Sequence, residues 1–307
     1  MKSGFISIIG RPNTGKSTLL NMIIGTKVAI ATPKPQTTRN TIRGIFTDNI
    51  RDKQMVFLDT PGIHMPKNKL GEKLVASSRR SMRDVDLVLL LVDERSKLEE
   101  EYNIFKNLAS ISSPKIIVIN KLDVMKPDQF KGLYDYYKTK EGFEDVIGIT
   151  AKDGKNVDAL LDKVALYCND ENIHFPENMY TDQQERFLAS EIIREKLFMY
   201  LDKEVPFGVA VGIEKFKEMA KNSVSKDKVK EMKGVIDIEA VITCERDSHK
   251  GIIIGKSGRK LKGIGKSARL ELEDIFGVKV NMKLWVRVRK NWRESDVQLK
   301  NLGYGDI

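Results

Sequence analysis

The chain has only two cysteines in 307 residues, Cys168 and Cys244, far apart and without a CxxC spacing. That excludes a disulfide framework and a cysteine-ligated zinc site, and it suits a reducing cytosol. The three histidines (His64, His174, His249) are scattered and form no metal-ligand spacing. No apolar run approaches the ~18 residues of a membrane span. The greasiest stretch, Val85 to Val92, reads as a fully buried strand. The start, Met1-Lys2-Ser3-Gly4-Phe5, runs straight into a polar loop, so no signal peptide is expected. Negative charge is in deficit, with a net charge of +10. The excess is uneven: Arg246 to Lys300 holds 15 Lys and Arg against 6 Asp and Glu. Such a segment suggests a polyanionic partner, either nucleic acid or an anionic membrane surface.

What is present is an ordinary globular composition, 41% apolar and 31% charged, in a chain long enough for two cores. The two halves follow different grammars. The first alternates apolar strands, near 4–10, 40–48, 53–59, 85–93, 114–120 and 144–150, with helical patterns near 16–25, 68–83, 98–110, 127–138 and 155–167. This alternation predicts an α/β domain, a mostly parallel sheet with helices on both faces, whose ligands bind at the carboxyl ends of the strands. We place this domain at residues 1–172 and a polar linker at 173–181. Residues 182–307 form a second, α+β domain. There the pattern is a helix over 182–201, strands near 205–218 and 231–245 around the polar loop 219–230, a short helix before Gly255, a helix over 259–275 and a strand over 278–288, giving αββααβ.

The run Gly10-Arg11-Pro12-Asn13-Thr14-Gly15-Lys16-Ser17 is GxxxxGKS between a strand and a helix that begins at Ser17-Thr18. In that context glycines let backbone amides curl around a polyphosphate at a positive helix end. Lys16 reaches the β- and γ-phosphates, and the Ser17 hydroxyl ligates Mg²⁺. Asp59-Thr60-Pro61-Gly62 ends the next strand but one. Asp59 can hold Mg²⁺ through water, and the Gly62 amide can meet the γ-phosphate. In Pro35-Gln36-Thr37-Thr38-Arg39 one threonine is expected to close onto Mg²⁺. Thr38 is favoured over Thr37, although adjacency leaves the choice ambiguous.

Asn120-Lys121-Leu122-Asp123 ends another strand. The Asp123 carboxylate can accept from guanine N1–H and N2–H, which adenine lacks, so GTP and GDP are the expected nucleotides. Asn120 can tie loops together and reach the base edge, and the Lys121 stem can lie over the base. In Thr150-Ala151-Lys152 the Ala151 amide could meet guanine O6. A metabolite kinase fits poorly, since no acceptor pocket or second catalytic base is apparent.

These motifs resemble the TrmE–Era–EngA group of translation-factor-class GTPases, with Pro12-Asn13 and Gln36-Thr37-Thr38-Arg39 carrying the closer match. The resemblance implies GTP hydrolysis with Lys16, Thr38 and Gly62 at the reacting phosphate. Many small GTPases carry a water-orienting glutamine after the DxxG glycine. This chain has Ile63, which cannot hydrogen-bond water, so slow hydrolysis is expected. The resemblance implies a K⁺ ion held in part by Asn13. Thr14 stands where valine is usual, and Thr150 where serine is commoner.

In the second domain, Ile254-Gly255-Lys256-Ser257-Gly258-Arg259-Lys260 is a GxxG loop that would let a nucleic-acid backbone approach closely. Ile253, Ile254, Leu261 and Ile264 could line a groove for bases. The helix after it carries Arg259, Lys260, Lys262, Lys266 and Arg269 in its first half, beside the loop. In its αββααβ setting this resembles a type II KH domain, a single-stranded-RNA module. In the tail, Trp285 is expected in the core, while Trp292 is open. The pairing of the two domains resembles the ribosome-assembly GTPases of the group, from Gly4 to Gly303. That implies binding near the 3′ end of 16S rRNA, a role in assembly of the small ribosomal subunit, and peripheral contact with the inner membrane. A cytoplasmic monomer is expected. The rival is a GTPase whose basic half docks on membrane or protein without RNA.

Overall fold

A computed structural model describes residues 1–95, 98–220 and 234–304. The expected polar loop 219–230 lies mostly outside the described residues. The chain divides into two units, the first ending at Gln183 and the second starting at Gln184.

The first unit is built on six strands: β1 (Lys2–Gly10), β2 (Ile42–Asp48), β3 (Lys53–Asp59), β4 (Leu87–Val92), β5 (Lys115–Ile119) and β6 (Asp145–Gly148). Their order in the sheet is β2-β3-β1-β4-β5-β6. Only β2 runs antiparallel, joined to β3; the other neighbours are parallel. β4 reads Leu-Val-Leu-Leu-Leu-Val and all six residues are buried, as an apolar run at the centre of a covered parallel sheet must be. The helices are α1 (Lys16–Ile24), α2 (Lys69–Arg80), α3 (Leu98–Leu108), α4 (Pro127–Lys138) and α5 (Val157–Ala165). α2 starts at Asn68, whose side chain accepts from the Gly71 amide at 2.8 Å. Glu72 in its first turn and Arg79 and Arg80 in its last both complement the helix dipole.

Residues 172–182 run along the β2/β3 side of this unit. Gln54 accepts from the His174 and Phe175 amides and donates to the Phe175 carbonyl. The Ile45 amide donates to the Tyr180 carbonyl at 2.9 Å, and Arg43 pairs with Asp182 at 2.5 Å.

The second unit orders α6 (Glu185–Tyr200), β7 (Ala210–Ala220), β8 (Gly234–Cys244), α7 (Asp247–Ile254), α8 (Arg259–Phe276) and β9 (Lys279–Val288). The sheet is β7-β8-β9, antiparallel then parallel. The strand expected from 205 begins instead at Ala210, because Val205–Gly208 with Pro206 forms a 3₁₀ turn. Trp285 departs from the sequence expectation of a core position, and Trp292, which the sequence left undecided, takes one. Trp285 is 45% exposed, whereas Trp292 is fully buried, donates to the Gly208 carbonyl at 3.0 Å and stacks on Tyr304. On β9 alternate residues face opposite sides. Leu284 faces α8, so Trp285 lies on the uncovered face.

Candidate functional site

The GxxxxGKS loop joins β1 to α1, and its shape depends on two glycines. Gly10 has φ +149 and a Cβ there would lie 2.4 Å from the Leu91 carbonyl oxygen. Gly15 has φ +97 and a Cβ would lie 2.3 Å from Asn120 Nδ2. Thr14 is buried and its hydroxyl donates to the Arg11 carbonyl at 3.0 Å, so the departure from valine leaves no polar group unpaired. The Lys16 amine donates to the Gly10 and Arg11 carbonyls at 3.2 and 2.8 Å, inside the loop. Burial pulls it down to about 8, against the opposing pull of Asp59 and Asp93. Pro12, Asn13, Gly15, Thr18, Thr38 and Gly62 line the small pocket around it.

Three oxygen-bearing side chains meet at the end of β3. Ser17 Oγ donates to Asp59 Oδ2 at 2.6 Å and lies 2.8 Å from Thr38 Oγ1. Thr38 is 3.5 Å from the same carboxylate oxygen. The other oxygen, Asp59 Oδ1, is buried and without a hydrogen-bond partner among the described residues. Burial lifts the Asp59 carboxyl to about 6, opposed by Lys16, Ser17, Thr38 and the Thr60 amide. Two hydroxyls and a carboxylate with a spare oxygen suit a hard divalent cation such as Mg²⁺. Thr37 turns elsewhere: its hydroxyl bonds to Thr32 at 2.6 Å and to the Lys34 carbonyl at 2.7 Å.

The Asp59-Thr60-Pro61-Gly62 turn is fixed on both sides. Thr60 donates to the Ile8 carbonyl, and Ser78 donates to the Pro61 carbonyl. A Cβ on Gly62 would sit 2.7 Å from the Pro12 nitrogen, so the two loops touch through backbone. Ile63 is buried in the hydrophobic core and its amide donates to the Gly10 carbonyl. His64 bridges toward the threonine loop. The Gln36 amide nitrogen lies 3.1 Å from His64 Nε2, and His64 Nδ1 lies 2.7 Å from the Gly62 carbonyl. The amide can only donate, so the network assigns the proton to Nδ1. Asn13 donates to the Pro33 carbonyl at 2.7 Å.

Asn120 ties three loops. Its amide nitrogen donates to the Thr14 carbonyl at 2.8 Å, and its oxygen accepts from the Lys121 and Ala151 amides. The Ala151 amide, expected to reach guanine O6, is thus engaged by Asn120. Thr150 is buried, Lys152 is exposed, and Leu122 lies half-buried beside the exposed carboxylate of Asp123. The sequence reading missed Asp93, which pairs with both Lys121 and Arg11 from the end of β4. A charged residue directly after an all-apolar buried strand was the available signal.

In the second unit the GxxG loop separates α7 from α8. Gly255 has φ +71 and a Cβ there would lie 2.7 Å from Lys260 Cβ. Lys256, Ser257, Arg259, Lys262 and Lys266 are exposed, and Ile254 and Lys260 are half-buried. Gly258, Lys262, Lys266 and Arg269 line a groove of about 480 Å³ whose apolar wall is Leu261, Met282 and Leu284. Ile253 and Ile264, expected to line it, are fully buried in the core. Arg269 also pairs with Glu273 at 3.1 Å. Groove and loop adjoin, so the exposed cations flank a strip that apolar bases could occupy.

The family described as a 50S ribosome-binding GTPase matches residues 5–121, and the KH domain family matches residues 213–293. A protein named GTPase Era from Clostridioides difficile (strain 630) is 50% identical over 309 residues, covering 99% of each chain. One from Alkaliphilus oremlandii (strain OhILAs) is 49% identical over 305 residues. It covers 99% of each chain as well. Two solved structures align over 99% of both chains at 37% identity. One is an Aquifex aeolicus Era variant bound to GDP·AlF₄⁻, with a TM-score of 0.89. The other is Era with MgGDPNP and nucleotides 1506–1542 of 16S ribosomal RNA, with a TM-score of 0.90.

Proposed function

The chain belongs to the Era family of GTPases, and from that premise we propose that it is a GTP-driven switch whose second unit binds single-stranded RNA at the 3′ region of small-subunit ribosomal RNA and assists assembly of that subunit. The observation that carries the nucleotide half is the meeting of Ser17, Thr38 and Asp59 beside Lys16, with one Asp59 oxygen left unpaired. Lys16 and the loop amides hold the phosphates, and Asp123 reads the guanine edge. Ser17 and Thr38 would hold Mg²⁺, with Asp59 acting through water, and the ion would neutralise charge developing on the phosphates. Thr38 and Gly62 come from separate loops, so γ-phosphate contacts order both, and hydrolysis releases them.

Ile63 packs in the core and offers the attacking water no hydrogen bond. The missing stabilisation is assigned to K⁺. Asn13 spends its amide nitrogen on Pro33 and keeps a carbonyl oxygen of the kind such an ion takes. Turnover should therefore be faster in K⁺ than in Na⁺ at equal ionic strength, and equal rates remove this role.

The RNA half rests on the exposed cations along the GxxG loop and α8 beside an apolar groove wall. It also rests on the relative solved with 16S nucleotides. No helix among the described residues is long and apolar enough to cross a membrane. Any contact with the cytoplasmic membrane would be peripheral, through the same basic surface. Titrating a labelled 16S 3′-end oligonucleotide, with a scrambled sequence and anionic vesicles in parallel, separates the readings. Preference for the 3′-end sequence supports the proposal, and binding that follows only lipid charge defeats it.

A further inference from the structure

The first unit has a cleft of about 1130 Å³ lined from α2 and α3. Its apolar lining includes Ile63, Val75, Ala76 and Ile104. Arg79, Arg80 and Arg83 line it from α2 and the turn that follows, and Lys106 lines it from α3. All four cations are exposed, and none forms an ion pair among the described residues. Among the described residues Glu72 is the one acidic lining residue. The remaining lining cation, Arg11, is already held by Asp93 and Glu101. Met65, also part of the lining, is 75% exposed, a large apolar side chain left in water beside cations.

Four cations lining one cleft raise its positive potential, and an anionic occupant neutralises it. The walls then decide which anion. Among the described residues no Phe, Tyr or Trp lines the cleft, so these walls offer bases no stacking platform. Its aliphatic floor instead suits a branched apolar side chain. We propose that the α2–α3 cleft docks an acidic segment of a partner protein, one that presents an aliphatic side chain between carboxylates. The cleft belongs to the first unit and the GxxG groove to the second. The cleft also shares Pro12 with the phosphate pocket, so an occupant touches the nucleotide loops directly.

The test uses the full chain with Mg²⁺ and GDP. The probe is a short fluorescein-labelled peptide with one leucine among aspartates and glutamates, followed by anisotropy. Saturable binding is expected, weakened about tenfold by Arg80→Glu with Arg83→Glu, and several-fold by Lys106→Glu on the facing wall. Replacing the peptide's leucine by serine should cost about tenfold or more. Reversing Lys262 and Lys266 should leave the affinity unchanged. The α2 and α3 variants lie on the surface, and unchanged GTP hydrolysis verifies their fold. Three results overturn the proposal: affinity indifferent to the leucine or to the α2 and α3 charges, loss of binding on reversing Lys262 and Lys266, or displacement of the peptide by single-stranded RNA with the same dependence on Arg80 and Arg83.

Discussion

Ser17 Oγ donates to Asp59 Oδ2 at 2.6 Å, which joins the first turn of α1 to the end of β3 at a carboxylate buried beside Lys16. In the proposed site the pair serves the cation rather than the fold. Asp59→Asn keeps the shape and one acceptor but removes the charge. Magnesium-dependent GTP hydrolysis should fall by about 10²- to 10³-fold, a loss comparable to removing one preorganised electrostatic group. The nucleotide-free variant should melt no lower than wild type, and somewhat higher at pH 7 or above, because burial disfavours the Asp59 charge that the amide removes. Single-turnover kinetics and thermal melts check the two halves independently.

The pH dependence follows from the same two groups. The folded Asp59 carboxyl sits at about 6, above its ordinary 3.8. Its favourable contribution to stability is therefore present below about 4 and lost as pH rises through 6. Lys16 sits at about 8, below its ordinary 10.5, so its contribution is present above that value and lost as pH falls through 8. Ligand binding needs the opposite, a carboxylate and an ammonium. Affinity for Mg²⁺-GDP should plateau between about 6 and 8 and decline on both sides, by up to about tenfold per pH unit. Calorimetric titration across pH 5 to 9, roughly one unit beyond each value, gives the profile.

The proposed guanine reading by Asp123 predicts a change of preference rather than mere loss. An amide in place of the carboxylate presents donors to guanine's own donors. Asp123→Asn should weaken GTP by about 10²-fold or more and improve xanthosine triphosphate, whose O2 accepts a hydrogen bond. Competition binding with both nucleotides measures the crossover.

On the second unit, Lys262→Glu with Lys266→Glu should weaken RNA binding. It should also flatten the log–log salt dependence by about 0.7 for each phosphate no longer neutralised. Gly255→Ala acts differently. With φ +71 and Lys260 Cβ 2.7 Å from the new methyl, it should destabilise by about 1–3 kcal/mol and distort the loop. Melting curves beside salt titrations separate charge from shape.

The motifs legible in the sequence are those in which backbone does the work. Gly10 and Gly15 are required by space and φ, so the phosphate loop announces itself locally. The parallel sheet was legible because short apolar strands alternate with helical patterns along the first half of the chain. What alternation cannot reveal is which face a neighbour covers. Trp285 is exposed rather than in the core because β9 is an edge strand covered by α8 on one side only. Ile253 and Ile264 went to the core for a similar reason: spacing on a short helix does not say which stripe meets the sheet. The choice of Thr38 over Thr37 at the Ser17–Asp59 cluster needed coordinates, since both lie next to each other on one loop.

Coupling of nucleotide state to RNA binding, as proposed, is testable at Arg43 and Asp182. Arg43 lies on β2, just after the Thr37-Thr38 loop, and Asp182 lies just before α6. The pair is half exposed on the arginine side and contributes at most ~1 kcal/mol to stability. Asp182→Ala should hardly move the melting temperature, yet it should narrow the difference in RNA affinity between the GTP-analogue and GDP forms. Parallel RNA titrations of wild type and variant read this directly.

Of all these tests, the most direct is the affinity of the intact protein for a 16S 3′-end oligonucleotide, measured with Mg²⁺ and either a non-hydrolysable GTP analogue or GDP. Tighter RNA binding with the GTP analogue, abolished by Asp59→Asn and by Lys262→Glu with Lys266→Glu, is the predicted result. Equal affinity in both nucleotide states would contradict the coupling of the two sites.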